Sequence, residues 1–560
     1  MEEQLNTERR RKSRLPLVAA VVVIVLAGVV AYVLFAGRAK TDPASYLPQE
    51  VALAVTVDLT RSADKDAALD VIRGVFKDAG MQKPDQELFK WLSDGLKLDF
   101  EKDVLSHLSG TAGAAVLTEM NGMMPVTVAV ICTKTDDDAD AIVKTLERKL
   151  SQNKVAFQKR AYKGFNYWRI PVGSQTPGMP FGGPQLINYA GAVNGAVVWA
   201  NSEGGFKKVI DTVKGQASLL EDSNFTRLRK TRPSTFAVLY ASGPGYYKLI
   251  SPILNMSMGM MGGEVPPELK EQMENAVAVV ATADANGEGI KLDAMGITKK
   301  PGPQYRSLPL TDMASQFPAD AKIVYAFNSW DKIWVEFKKV ALSNPMLKSQ
   351  IAQATTQAKQ MVGFDPLPDL LDRLTGFAAY YVPAKGVSSN AFPGTLTFVI
   401  TVDKPDVVKK SIAKLHAFAA TAGQMKVTKA SVAGSEISVL PLGTDGGKLG
   451  DIVLGNKVIV TIAGSSITQA MGRAISAAQG KGSTLADSAG YKLVKDQLPS
   501  KGLGLFYGDV GGIVNVFKDD MPAQDRKKVE AVFKHVGWFA GSGDVQGTES
   551  TGTTFIPFKK

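Results

Sequence analysis

The second half of this chain restates the first, and that repetition limits its fold more than any other feature. LKLDFEKDVLSHLSG, from Leu96 to Gly110, has a partner in MVGFDPLPDLLDRLTG, from Met361 to Gly376. Asp99, Leu105, Leu108 and Gly110 fall on Asp365, Leu371, Leu374 and Gly376 at one constant spacing. TVAVICTKTD at Thr127 answers TFVITVDKPD at Thr397, YWRIPVG ending at Gly173 answers ISVLPLG ending at Gly443, and NGAVVWA at Asn194 answers NKVIVTI at Asn456. LLEDSNFTRL at Leu219 meets TLADSAGYKL at Thr484, and FAVLY and LGLFY set Tyr240 on Tyr507. Leu47-Pro48 before VALAVTV becomes Phe317-Pro318 before AKIVYAF, and the close at Lys300 becomes the close at Lys560. Landmarks in one order predict two copies of a unit of roughly 250 residues, too long for a solenoid repeat and therefore a domain duplication. The copies are read at 46–300 and 316–560. The Pro/Gly stretch 301–315 is read as a semi-rigid linker, since its prolines suit neither helix nor strand.

Ahead of the repeats stands LPLVAAVVVIVLAGVVAYVLFAG, Leu15 to Gly37, which holds no charged residue. As a helix it reaches roughly 34 Å, enough to cross a bilayer core of about 30 Å. Arg9, Arg10, Arg11, Lys12 and Arg14 precede it, whereas only Arg38 and Lys40 follow closely. The expectation is a basic cytoplasmic tail at 1–14, one transmembrane helix at 15–37, a linker at 38–45 and the bulk outside the cytoplasm, so the first partner is a lipid bilayer. A cleaved signal peptide is the alternative, with Ala36, Gly37 and Ala39 near a cleavage site. The apolar run exceeds the usual 7–15 residues or so of such a peptide, which favours the uncleaved anchor.

The remaining sequence is that of a globular protein: 45% of the 560 residues are apolar and 21% charged. The formal charge is +11, but no Lys/Arg run interleaves with aromatics, so nucleic acid is not an expected partner. The single cysteine, Cys132, lies in the apolar strand TVAVIC and cannot form an internal disulfide. Each unit reads as strands and helices in alternation, with short-linked neighbouring strands and an Asn286-Gly287 turn suited to a hairpin. The expected fold class is α+β with mainly antiparallel sheets.

The anchor followed by YLPQEVALAVTVDL, and LADSAGYKLVKDQLP running to LFYGD at Asp509, resemble the bacterial domain-of-unknown-function 3352 family. That resemblance implies a membrane-anchored or exported protein and carries over no catalytic residue.

Motifs for chemistry are poor. The histidines are His107, His416 and His535, none in a paired ligand spacing, and no serine stands in a G-x-S-x-G elbow. Asp136, Asp137, Asp138 and Asp140 suggest a calcium loop with Glu147 at its twelfth position. Ala141 stands where that loop needs glycine, and carboxylates at a helix start explain the run as well. Gly-Lys-Gly-Ser at Gly480 lacks the upstream glycine of a phosphate loop. Neither a metal, a cofactor nor a catalytic residue is assigned. The candidate contacts are Met179 and Phe181 in one long loop of the first copy, and Met256, Met258, Met260 and Met261 in another. Met256, Met258, Met260 and Met261 offer adaptable apolar surface, or thioether ligands for Cu(I). The expected function is non-enzymatic binding or scaffolding of an envelope protein or apolar ligand by the duplicated exterior. The alternatives are an exported carrier or chaperone for an apolar ligand, and an enzyme with a dispersed active site.

Overall fold

Val, Ile, Tyr, Phe and Thr cluster in short runs bounded by Gly, Asn and Pro, and these runs form strands because branched and aromatic side chains pack well on a pleated surface. A computed structural model of the chain describes residues 41–58, 100–122, 124–172, 186–230, 235–260, 267–343, 345–384, 394–422, 425–442, 447–464, 466–517 and 533–559, with isolated positions between them. The apolar stretch 15–37 and the tail before it lie outside the described residues. Among the described residues no helix is long and apolar enough to cross a membrane. They divide into two compact units, one within Met1–Gly263 and Ala276–Gly287, the other within Glu264–Asn275 and Glu288–Lys560. Both mix helices with antiparallel sheet, an α+β architecture.

The first unit contains β1 (Val51–Asp58), β2 (Leu108–Asn121), β3 (Met124–Thr133), β4 (Gln158–Tyr162), β5 (Phe165–Val172), β6 (Leu186–Val193), β7 (Ala196–Ala200), β8 (Thr235–Ser242) and β9 (Ala276–Asn286). They pair antiparallel in the order β4-β5-β6-β7-β3-β2-β1-β8-β9. One face packs on helix Glu203–Val213, whose Phe206, Val209 and Ile210 are buried, and on Phe225 of helix Ser223–Lys230. Ser202 caps the first of these helices by accepting from Gly205 N at 2.9 Å, which satisfies an amide the helix cannot.

The second unit contains β10 (Gly289–Thr298), β11 (Leu308–Pro309), β12 (Ile323–Asn328), β13 (Leu374–Pro383), β14 (Gly394–Val402), β15 (Thr428–Val432), β16 (Ser435–Leu442), β17 (Gly447–Leu454), β18 (Lys457–Ala463), β19 (Lys501–Gly502), β20 (Gly504–Asp509), β21 (Trp538–Gln546) and β22 (Glu549–Pro557). Its main sheet runs β15-β16-β17-β18-β14-β13-β12-β20-β21-β22-β10, all antiparallel. Strand β10 belongs here because it pairs with β22 along its whole length. Residues 301–315 also join this unit: β11 pairs with β19, and Leu310, Met313 and Ala314 of helix Leu310–Ala314 enter the core. Apolar side chains at those three positions turn a Pro/Gly stretch into packed structure.

The register places Tyr240 opposite Ala54 across β8 and β1, and Tyr507 opposite Val324 across β20 and β12. Elsewhere the sequence correspondences slip by one. Gly110 sits in a bulge of β2 with φ 97°, whereas Gly376 lies within the ladder opposite Thr401. Likewise the capping boxes set Ser218–Glu221 on Thr484–Asp487, one position from the pairing of Leu219 with Thr484. Asp99 lies outside the described residues.

Candidate functional site

In the second unit, alternation along the strands sends one set of side chains to the core and the other to the opposite face. Val324, Ala326, Tyr380, Val399, Leu505 and Tyr507 go inward and are buried. Ile323, Tyr325, Ala379, Tyr381, Leu396, Phe398 and Phe506 face the other way, and they are also apolar or aromatic. The register sets Phe398 opposite Ala379, Ala379 opposite Tyr325, and Tyr325 opposite Phe506. An aromatic row therefore crosses four adjacent strands, β14, β13, β12 and β20. Phe377 extends it, with ring centroids 6.5 Å from Tyr325 and 6.0 Å from Phe398. Phe506 and Phe539 approach to 4.9 Å. Gly508 makes room for the Phe539 ring, since a Cβ there would lie 2.2 Å from it.

Much of this row is open. Tyr325 is 47% exposed and Phe506 42%. A shallow cleft of about 290 Å³ lies over Ile323, Tyr325, Ala379, Tyr381 and Leu396, with walls almost wholly apolar. Helix Trp330–Ser343 packs on β13 at the edge of this face, where Trp330 lies 6.2 Å from Phe377. Asp372 holds the helix there by accepting from Trp334 Nε1 at 2.6 Å and Lys338 Nζ at 2.7 Å. Burial works against the Asp372 carboxylate, but the bonds from Lys338 and Trp334 outweigh it and keep this group below its ordinary range. A larger cleft of about 420 Å³ lies beside Asp320, Arg473 and Lys481. Arg473 and Asp320 already pair there at 2.9 Å, so their charges are satisfied without a ligand.

Followed the other way, the row turns polar. Phe398 lies opposite Val460, Val460 opposite Asp451, Asp451 opposite Ser438 and Ser438 opposite Lys429. His416, on helix Pro405–Ala422, reaches down so that its Nε2 lies 2.8 Å from Asp451 Oδ2, and Lys429 Nζ donates to Ser438 Oγ at 3.1 Å. In the first unit the matching register positions are Lys159, Trp168, Ala190 and Trp199, and Leu146, Leu150 and Trp168 pack there as an apolar cluster. Trp168 thus holds the register position of Ser438, and Ala190 that of Asp451. Ser438 is buried and bonds Lys429 rather than His416, so these residues do not form a nucleophile–base–acid relay.

Burial pushes the Asp451 carboxyl above its ordinary range, and the charge and bond of His416 oppose this without cancelling it. A raised folded-state value means that the folded form holds this proton more tightly than the unfolded chain. The resulting stabilisation is present below the ordinary carboxylate value of about 4 and is lost as pH rises through the higher folded value. Urea midpoints of the wild type should therefore fall relative to Asp451→Asn between acid and neutral pH. A constant difference would mean that the pair does not titrate in this way.

Of the sequence-predicted contacts, Met179, Phe181 and Met261 lie outside the described residues. Met256, Met258 and Met260 belong to helix Gly243–Met260 rather than to a loop, as the high helix propensity of methionine allows, and Met256 is exposed. Neither Met256, Met258 nor Met260 stands on the strands of the aromatic row. Tyr325, Phe377, Phe398 and Phe506 were missed; IVYAFN and GLFYGD carry aromatic residues, but no alternation with polar ones that would mark an open face. Among the described residues no cluster of three His, Cys, Asp or Glu side chains is placed to hold a metal. His107 instead bonds Asp138 at 2.6 Å, and that bond, with one from Thr135, holds Asp138 below its usual range. Glu147 pairs with Lys159 at 2.6 Å. Burial pushes the Cys132 thiol up to about 11, far from a reactive thiolate.

These features define an α+β protein with an open, aromatic sheet face. The chain belongs to the DUF3352 family, described as a protein of unknown function, whose profile matches residues 17–551. No curated protein matches it. Two solved structures of TP0453, crystal forms I and III, are similar at 8% identity and TM-score 0.26. They cover 51% of this chain and 88% and 90% of theirs, a likeness too slight to bear on fold or function.

Proposed function

We propose that this chain is a membrane-tethered, non-enzymatic envelope protein whose duplicated exterior binds apolar chains on the aromatic face of its second unit. The observation that carries the reading is the row Phe398–Ala379–Tyr325–Phe506, because exposed aromatic rings over an apolar cleft cost free energy in water unless something covers them. The uncharged stretch 15–37, with basic residues before it, supports the tether and a cytoplasmic N-terminus. The common strand order of the two units, with Tyr240 and Tyr507 at matching register positions, supports the duplication. Exposed Met256 in the first unit suits a second contact, for an envelope partner.

A photoreactive fatty acid added to membranes containing the full chain tests the binding site. Label is expected on peptides carrying Tyr325, Tyr381 and Phe506. Tyr325→Asp with Phe506→Asp should lower that label about tenfold, since placing two carboxylates in the cleft removes its apolar character. Label found in the 15–37 segment alone would overturn the reading.

A further inference from the structure

Helices Trp330–Ser343 and Pro345–Val362 follow one another and pack together as a hairpin, with Pro345 suited to open the second helix. Only a narrow stripe of the second helix is half-buried, at Ile351, Thr355, Ala358 and Val362. Large apolar side chains instead stand in solvent: Phe337 is 59% exposed, Met346 65% and Met361 61%, with Val335, Leu342 and Leu347 also exposed. Single exposed apolar residues are ordinary, but six on one hairpin are not. The same segment carries five lysines against Asp331 and Glu336, and four once Lys338 is set against its partner Asp372. Lys339, Lys348 and Lys359 are exposed. Apolar side chains beside a lysine-rich surface are the composition of helices that lie in a lipid interface, where the ammonium groups meet anionic headgroups and the apolar groups sink below them.

We propose that this hairpin docks on an anionic lipid surface. Its net positive charge selects that occupant over a neutral surface or a second copy of the same basic chain. The proposal stands on the hairpin alone and does not depend on the aromatic cleft.

The test uses the full chain in lipid nanodiscs, with an environment-sensitive fluorophore on Phe337→Cys or Met361→Cys and a control on exposed Glu436→Cys. Discs contain phosphatidylcholine alone or with phosphatidylglycerol, and a lipid-borne spin label serves as quencher. Quenching at 337 and 361, absent at 436 and strong only with phosphatidylglycerol, is expected. Lys348→Glu with Lys359→Glu should weaken it about fivefold or more per lysine, as loss of a basic residue near an anionic surface implies. These substitutions are exposed, and unchanged circular dichroism would confirm that the fold survives. Equal quenching in neutral discs, no quenching, or emission changes that follow protein concentration instead of lipid would each overturn the proposal. Loss of fatty-acid labelling at Tyr325 with quenching intact would sink only the binding-site reading.

Discussion

Phe206→Ala is expected to lower the unfolding free energy by about 3–5 kcal/mol, the usual range for removing a fully buried aromatic ring. The Phe206 side chain has no solvent exposure and lies almost parallel to the Tyr167 ring, with centroids 4.8 Å apart and planes 27° apart. It also fills the space above Gly191, the register partner of Tyr167, where a Cβ would come within 3.0 Å of the ring. Neither neighbour can relax into the void. Tyr167 is held by the bond from its hydroxyl to Glu203 at 2.7 Å, and Gly191 has no side chain to extend. Chemical denaturation followed by near-ultraviolet circular dichroism measures the loss, and Phe206→Leu should recover part of it. A cost below about 1 kcal/mol would mean that the helix Glu203–Val213 shifts to close the cavity.

Gly243→Ala should cost about 3 kcal/mol, at the upper end for adding one methyl group to a packed site. Gly243 opens helix Gly243–Met260 directly after β8 and faces the first residue of β9. A Cβ there would lie 2.0 Å from the Ala276 carbonyl oxygen and 2.4 Å from its carbon. Both obstacles are backbone, so relief requires the helix to leave the sheet. Gly204→Ala is the control, because nothing lies within 4 Å of that Cβ and Gly204 is already helical. There alanine should stabilise by about 0.5–1 kcal/mol through helix propensity. Parallel thermal melts of the two variants should move in opposite directions. Matching shifts would show that the clash at Gly243 is relieved locally.

The class of fold was legible because period and propensity are local properties. VALAVTVD, TVAVICT and TFVITV read as strands from their branched residues, and the strands form where expected. The acidic start of helix Asp136–Gln152 was legible too, since capping needs only Thr135 and its near neighbours. The linker was misleading, because Leu310 and Met313 find a core that the Pro/Gly composition around them does not announce.

The candidate site was not legible, for a physical reason. IVYAFN is apolar on both faces, so its alternation cannot say which face meets the core and which stays open. Tyr325 and Val324 are interchangeable to a pattern argument, but Val324 is buried in the core while Tyr325 stays open at the surface. His416, Ser438 and Asp451 are likewise scattered in the chain and gather only because β16 and β17 pair in one register beneath helix Pro405–Ala422. By itself the sequence determined an α+β chain with a repeated pattern and an uncharged N-terminal stretch, because those follow from neighbours along the backbone. Which apolar face remains open, and where polar groups hold the register positions of Trp168 and Ala190, depended on how the strands pair and what packs above them, and only the tertiary structure decides that.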